Sequence, residues 1–174
     1  MKILQSLVLL FVVSCMADDD LSNLQNIFGK NEVVKRSNDH LLNDAEFETQ
    51  ARDVYMNFLK TSSLTIKDNL GSYFKLWREV VEIPGPFATD VEKKNGISQL
   101  RSVDDFMPLL FLDDFLDNRD EDEEDKKTLF DVLFSNQSSR VKFFFAGDDD
   151  IINGLVLASQ YKNGDVVYIM HISD

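Results

Sequence analysis

The spacing of apolar residues changes character several times along the 174-residue chain, and each change predicts an element. Ile3 to Val13 is almost continuously apolar, broken only by Gln5 and Ser6. Residues 18–43 are polar and mixed, with Ser, Asn and Asp recurring, and read as a tether or loosely ordered arm with a short helix at Leu21–Phe28. From Asp44, a residue suited to capping a helix, Phe47, Ala51, Val54, Tyr55, Phe58 and Leu59 recur at helical spacing as one stripe. Ile66, Leu70, Tyr73, Phe74, Trp77 and Val81 predict a second helix, antiparallel to the first. Pro84-Gly85-Pro86 ends that unit, because proline lacks an N–H and clashes with a continuing turn.

Residues 87–101 centre on Asn95-Gly96, a pair suited to a two-residue turn, and predict a hairpin. Ser102 to Asp105 resembles a capping box for a third helix through Phe106, Leu109, Leu110, Phe115 and Leu116, where Pro108 is tolerated only near the start. Leu129 to Phe134 predicts a short fourth helix. The period then falls to two. Val141–Phe145, Leu155–Tyr161 and Val166–Ile172 read as strands, the last two joined at Lys162-Asn163-Gly164-Asp165. Gly147 to Asp150 and Asn153-Gly154 are read as the earlier turn. Helices first and an antiparallel meander last predict an α+β domain with helices on one sheet face. Phe144 is the position to watch, since alternation points it away from Phe143 and Phe145: either helices cover both faces there, or Phe144 lines a pocket or an interface. The element order resembles the NTF2-like domains, and that resemblance implies a cone-shaped sheet.

A single basic residue, Lys2, a short apolar core and small residues after it form an export signal over residues 1–17. The core is far shorter than the roughly 20 apolar residues of a membrane-spanning helix. The domain reading is therefore signal at 1–17, polar arm at 18–43 and one α+β domain at 44–174. Cleavage after Ala17 leaves a free, secreted chain. Alternatively, Val12-Val13-Ser14-Cys15 resembles the lipobox of bacterial lipoproteins, with Met16 to Asp20 like the acidic tether of surface lipoproteins in some Gram-negative bacteria. That resemblance implies a lipid on Cys15, the only cysteine, and a soluble domain held at an envelope membrane. With one cysteine the domain contains no internal disulfide, unlike many small exported domains.

Charge narrows the partners. Residues 1–17 hold Lys2 and no acid, so their removal takes the net charge from −13 to −14. Nucleic acid is excluded as a partner, because phosphate binding needs a basic surface. The charge likewise opposes direct docking on anionic lipid and favours a protein with a basic surface. Fourteen phenylalanines and 44% hydrophobic residues separate the chain from disordered acidic tails.

No residue pattern signals catalysis. Of the two histidines, His40 lies in the arm and His171 on the face of the last strand opposite Met170 and Ile172. There is no nucleophile elbow, zinc-protease motif, phosphate loop or dinucleotide fingerprint, so neither enzyme nor cofactor is expected. The acidic run contains Asp120, Glu121, Asp122, Glu123 and Glu124, but Asp125 stands where a calcium loop needs glycine and Asp131 where it needs glutamate. These five carboxylates are read as a solvated loop and as the candidate contact surface for a cationic partner. No metal site is expected, and Asp148–Asp150 are read as turn residues. Asn136-Gln137-Ser138 is a glycosylation sequon for a eukaryotic secretory route. Lys35-Arg36 is a candidate dibasic processing site. Two functions follow: an exported non-catalytic binding protein of inhibitor, immunity or adaptor type, or a secreted small-molecule carrier with an apolar pocket between sheet and helices.

Overall fold

The computed structural model describes residues 18–62, 70–117, 123–148 and 152–173. The elements run α1 (Asp18–Phe28), β1 (Val33–Arg36), α2 (Asp44–Thr61), a 3-10 turn (Leu70–Tyr73), β2 (Arg78–Pro84), α3 (Asp90–Leu100), α4 (Phe106–Asp117), α5 (Glu123–Leu133), β3 (Ser138–Gly147), β4 (Asn153–Tyr161) and β5 (Val166–Ser173). The strands form one open antiparallel sheet in the order β1-β5-β4-β3-β2. The α+β class and the C-terminal meander match the sequence reading. At the β4–β5 turn, Gly164 has a φ of 93°, a conformation that glycine adopts without steric cost.

The central strands have no solvent face. On one side Val141, Phe143, Leu155, Leu157, Val167 and Ile169 pack with residues of α1, α4 and α5. On the other, Phe144, Ala146, Val156, Ala158, Val166, Tyr168 and Met170 pack under Phe47, Ala51, Val54, Tyr55, Phe58 and Leu59 of α2. Helices therefore cover both faces, where one had been expected. Phe144 lies beneath the second cover, stacked on Trp77 at 5.2 Å between ring centroids and 6.2 Å from Phe47. Runs such as Phe143-Phe144-Phe145 are what a strand buried on both faces requires.

Five features differ from the sequence reading. Residues 18–36 are not a tether. Leu24, Phe28 and Val33 are buried, and β1 pairs with β5 as the edge strand next to it. The amphipathic pattern of α1 is what secures it. The stripe from Leu70 to Val81 is not one helix: it divides into the 3-10 turn and β2, whose Val81 and Ile83 register against Phe143 and Val141. Branched Val80, Val81 and Ile83 favour the extended backbone once β3 offers a partner. The cap of α2 is Asn43, one residue earlier than Asp44, and it forms a reciprocal capping box with Glu46. Asn153 and Gly154 belong to β4, not to a turn.

The fifth difference is α3. Thr89 and Glu92 form a second capping box, so the segment read as a hairpin starts as a helix. Gly96 stays helical despite its low propensity because α3 rests directly on aromatic rings. A Cβ built there would lie 2.7 Å from ring carbons of Phe134 and 3.0 Å from Phe87. Those two rings meet edge to face at 5.0 Å, which leaves neither free to give way. Ser102 closes α3 through a hydroxyl bond to the Gln99 carbonyl instead of opening α4. Pro108 falls in the first turn of α4, where its missing N–H costs nothing.

Gly96→Ala separates the two roles of this residue. Helix propensity alone would gain up to about 1 kcal/mol, whereas overpacking costs about 1–3 kcal/mol. A net loss on the order of 1 kcal/mol in guanidinium denaturation is expected. A gain in stability would show that the helix does not press on Phe134.

Candidate functional site

Three polar assemblies stand out, and they differ in what they are built for. The first is buried. Lys142 and Arg140 alternate with Phe143 and Val141 on β3, so both side chains point to the α2 face. Lys142, with only 2% of its side chain exposed, places Nζ 2.7 Å from Glu79, 2.8 Å from Glu82 and 3.4 Å from Asp44. Arg140 binds Asp44 at 2.6 Å and Glu82 at 3.3 Å, and donates to the Leu42 carbonyl at 2.6 Å and to Gln160 Oε1 at 2.9 Å. The Phe47 ring lies under both cations. Burial works against the Lys142 charge, but the hydrogen bonds it donates to Glu79 and Glu82 outweigh it and hold the ammonium above its ordinary pKa. The Arg140 and Lys142 contacts hold the Asp44 carboxyl below the usual aspartate range. This cluster joins the start of α2 to β2 and β3, and every member has a structural partner. It is a clamp.

The second assembly is the acidic segment. Glu123, Glu124 and Asp125 form the first turn of α5, where carboxylates complement the positive end of the helix dipole. Glu123 and Glu124 are exposed, as is Asp114 on α4. Asp113 lies 3.9 Å from Arg101. Asp120, Glu121 and Asp122 lie outside the described residues. The described ends of the run thus present carboxylates to solvent on both α4 and α5.

The third is a cleft of about 470 Å³ between α3 and α5, which the sequence reading missed. Both helices present the same pattern to it: Asp90-x-x-Lys93-Lys94-x-x-Ile97 on α3 and Glu123-x-x-Lys126-Lys127-x-x-Phe130 on α5. Steps of three, four and seven residues put each set on one helix face. Asp131 pairs with Lys93 and lies 3.5 Å from Lys127. The signal was present in the sequence. Reading 87–101 as a hairpin removed one of the two helices needed to see it.

The remaining candidates fall into ordinary roles. His40 sits at the surface 2.6 Å from Asp39 and 3.4 Å from Glu46, and hydrogen bonds to these carboxylates raise its pKa. His171 is half-buried, its ring 5.3 Å from that of Phe115. The Asp148 carboxylate accepts from the Ile152 amide at 3.1 Å and so shapes the β3–β4 turn; Asp149 and Asp150 lie outside the described residues. Among the described residues no group of three or more His, Cys, Asp or Glu side chains is placed to hold a metal ion, and no helix is long and apolar enough to cross a membrane. Asn136 is exposed on the turn between α5 and β3, while Ser138 of its sequon is buried and donates to the Leu133 carbonyl. Lys35 is paired with Asp165 at 2.9 Å within the edge strand, so a protease acting after Arg36 has to strip β1 from β5. Cys15 lies outside the described residues.

Removing the buried cation from the clamp tests its weight. Lys142→Ala leaves three carboxylates facing one another but within reach of water, and a loss of about 2–3 kcal/mol is expected, below the 3–5 kcal/mol of a fully enclosed broken pair. Because the folded pKa of Asp44 is depressed, its contribution is present above the unfolded pKa and disappears as pH falls through the folded value. Denaturation between neutral and strongly acid pH is thus expected to show a shallower acid loss in Asp44→Asn than in the parent. Parallel pH profiles would contradict the clamp.

The α2 clamp, the acidic segment and the α3–α5 cleft find no counterpart to explain them: no family model matches the chain, and no curated protein or solved structure resembles it detectably.

Proposed function

We propose that the protein is an exported, non-catalytic binding protein that docks a partner with a basic surface through the acidic ridge where α4 leads into α5. The observation that carries this reading is the exposure of Asp114, Glu123 and Glu124 on either side of the acidic run, in a chain of net charge −13. Asp114 on α4 and Glu123 and Glu124 in the first turn of α5 sit on helices, so their backbone positions are set before any encounter. A preorganised field of one sign accelerates association and selects partners of the opposite sign.

In this reading residues 1–17 direct export, and a lipid on Cys15 or cleavage after Ala17 decides whether the ridge is displayed at an envelope surface or released. Asn136 faces solvent on the α5–β3 turn, away from the buried clamp, and a sugar there in a eukaryotic route would leave the sheet undisturbed.

A decalysine peptide serves as the probe. One variant neutralises the ridge (Asp120→Asn, Glu121→Gln, Asp122→Asn, Glu123→Gln, Glu124→Gln). A second, of equal net charge, neutralises exposed acids elsewhere (Asp19→Asn, Asp20→Asn, Glu48→Gln, Asp53→Asn, Asp104→Asn). With each exposed pair worth about 0.2–1 kcal/mol, the ridge variant is expected to bind about tenfold more weakly than the second, with the difference shrinking at high salt. Equal weakening in both variants would mean that overall charge alone attracts the peptide and that the ridge is not a docking surface.

A further inference from the structure

We infer that the cleft between α3 and α5 is a binding site for a small amphipathic organic anion, one carrying a carboxylate, sulfonate or sulfate head on an aromatic or branched aliphatic body. The site borders the acidic ridge, sharing Glu123 with it, and takes ligands of the opposite charge.

The first argument is the distribution of charge. The chain has 18 basic residues against 31 acidic ones. Five of the 18, Lys93, Lys94, Arg101, Lys126 and Lys127, line this one cleft, against three carboxylates, Asp90, Glu123 and Asp131. In an acidic molecule a local excess of cations gives a solute anion a favourable destination. The second argument is the floor. Ile97 and Phe130 occupy matching positions on the two helices, one turn beyond the lysine pairs, and both are partly exposed. Phe130 is fixed by Phe134 at 6.3 Å, and Phe134 by Phe87, so the apolar floor is rigid. Cations above an aromatic floor complement a molecule with a charged head and an apolar body. The third argument is size: about 470 Å³ lies within the roughly 300–1,000 Å³ of small-ligand sites. The cations are confined to about two turns along α3 and a single turn of α5, too short a track to favour an extended acidic peptide.

Lys93 supports the assignment from within. Burial and the neighbouring charge of Lys127 lower its pKa, so the lysines strain against one another despite Asp131. An anion seated among them relieves that repulsion.

Naphthalene-1-sulfonate, 1-naphthalenemethanol, inorganic phosphate and hexaglutamate are titrated against the full mature chain, with backbone amide shifts as readout. The sulfonate is expected to saturate at one equivalent, moving amides of 93–97 and 126–131. The uncharged naphthalene and phosphate are each expected to bind at least tenfold more weakly, because each lacks one half of the match. Lys94→Gln with Lys127→Gln is expected to weaken the sulfonate at least tenfold. Phe106→Ser, which removes an exposed apolar side chain at the start of α4, is expected to leave it unchanged. Because these substitutions lie at the surface, an unchanged melting temperature confirms that each variant is folded. Equal binding of the uncharged naphthalene, equal binding of phosphate, tighter binding of hexaglutamate, or shifts centred on α4 would each overturn the assignment. Glu123 belongs to both surfaces, so the control is a ridge variant that keeps it (Asp120→Asn, Glu121→Gln, Asp122→Asn, Glu124→Gln), which is expected to leave this titration intact, and the two readings then fail independently.

Discussion

Everything in this molecule follows from a sheet that cannot face water on either side. Its central strands carry apolar residues at nearly every position, and strands of that kind are stable only between two covers. The chain supplies them from different places. Residues 44–61 give the single long helix α2 for one face, and residues 85–137, inserted between β2 and β3, give the helices of the other along with α1. With both faces closed by side chains, a ligand pocket between sheet and helices has no room around Leu155, Leu157, Val167 or Ile169, all fully buried. The proposed anion cleft lies between α3 and α5, outside this double-faced core.

The same constraint explains how the few cations are used. An acidic chain repels itself, and its basic residues limit where that repulsion is felt. Arg140 and Lys142 are committed to the corner where α2 starts, because a β3 position facing α2 next to Asp44, Glu79 and Glu82 can accept a charge only if it is fully paired. Lys35 fastens the edge strand to Asp165. The lysines of α3 and α5 are different in kind. Lys93 of α3 is tied to Asp131 of α5, which Lys127 also approaches, so they link the two helices while gathering around a partly exposed ring, the arrangement on which the proposed anion site rests.

Much of this was legible in the chain. The three late strands, the Asn163-Gly164 turn, α2 and the tolerance of Pro108 all follow from period and turn chemistry. What escaped was decided by tertiary packing. The Leu70–Val81 stripe fits a helix by spacing, yet β3 draws its second half into the sheet. Asn95-Gly96 fits a hairpin, yet Gly96 is there to let Phe134 approach a helix. The polar look of 18–43 hides Leu24, Phe28, Val33 and Leu42, four buried residues too widely spaced to show as a periodic run. The consecutive apolar residues of Phe143 to Ala146 already implied burial on both faces, and the position of Phe144 was the clue. The ridge was visible as a run of acids. The cleft was not, because it exists only once two distant Lys-Lys pairs are both helical.

The central claim is that the sheet and its two helical covers form one cooperative unit. Native-state hydrogen exchange of β4, β5 and the buried half of α2 tests it most directly. The slowest amides in all three are expected to share one opening free energy, equal to that of global unfolding. An α2 that exchanges through a distinctly cheaper opening while β4 and β5 remain protected would show that the sheet tolerates an uncovered face, and would contradict the account.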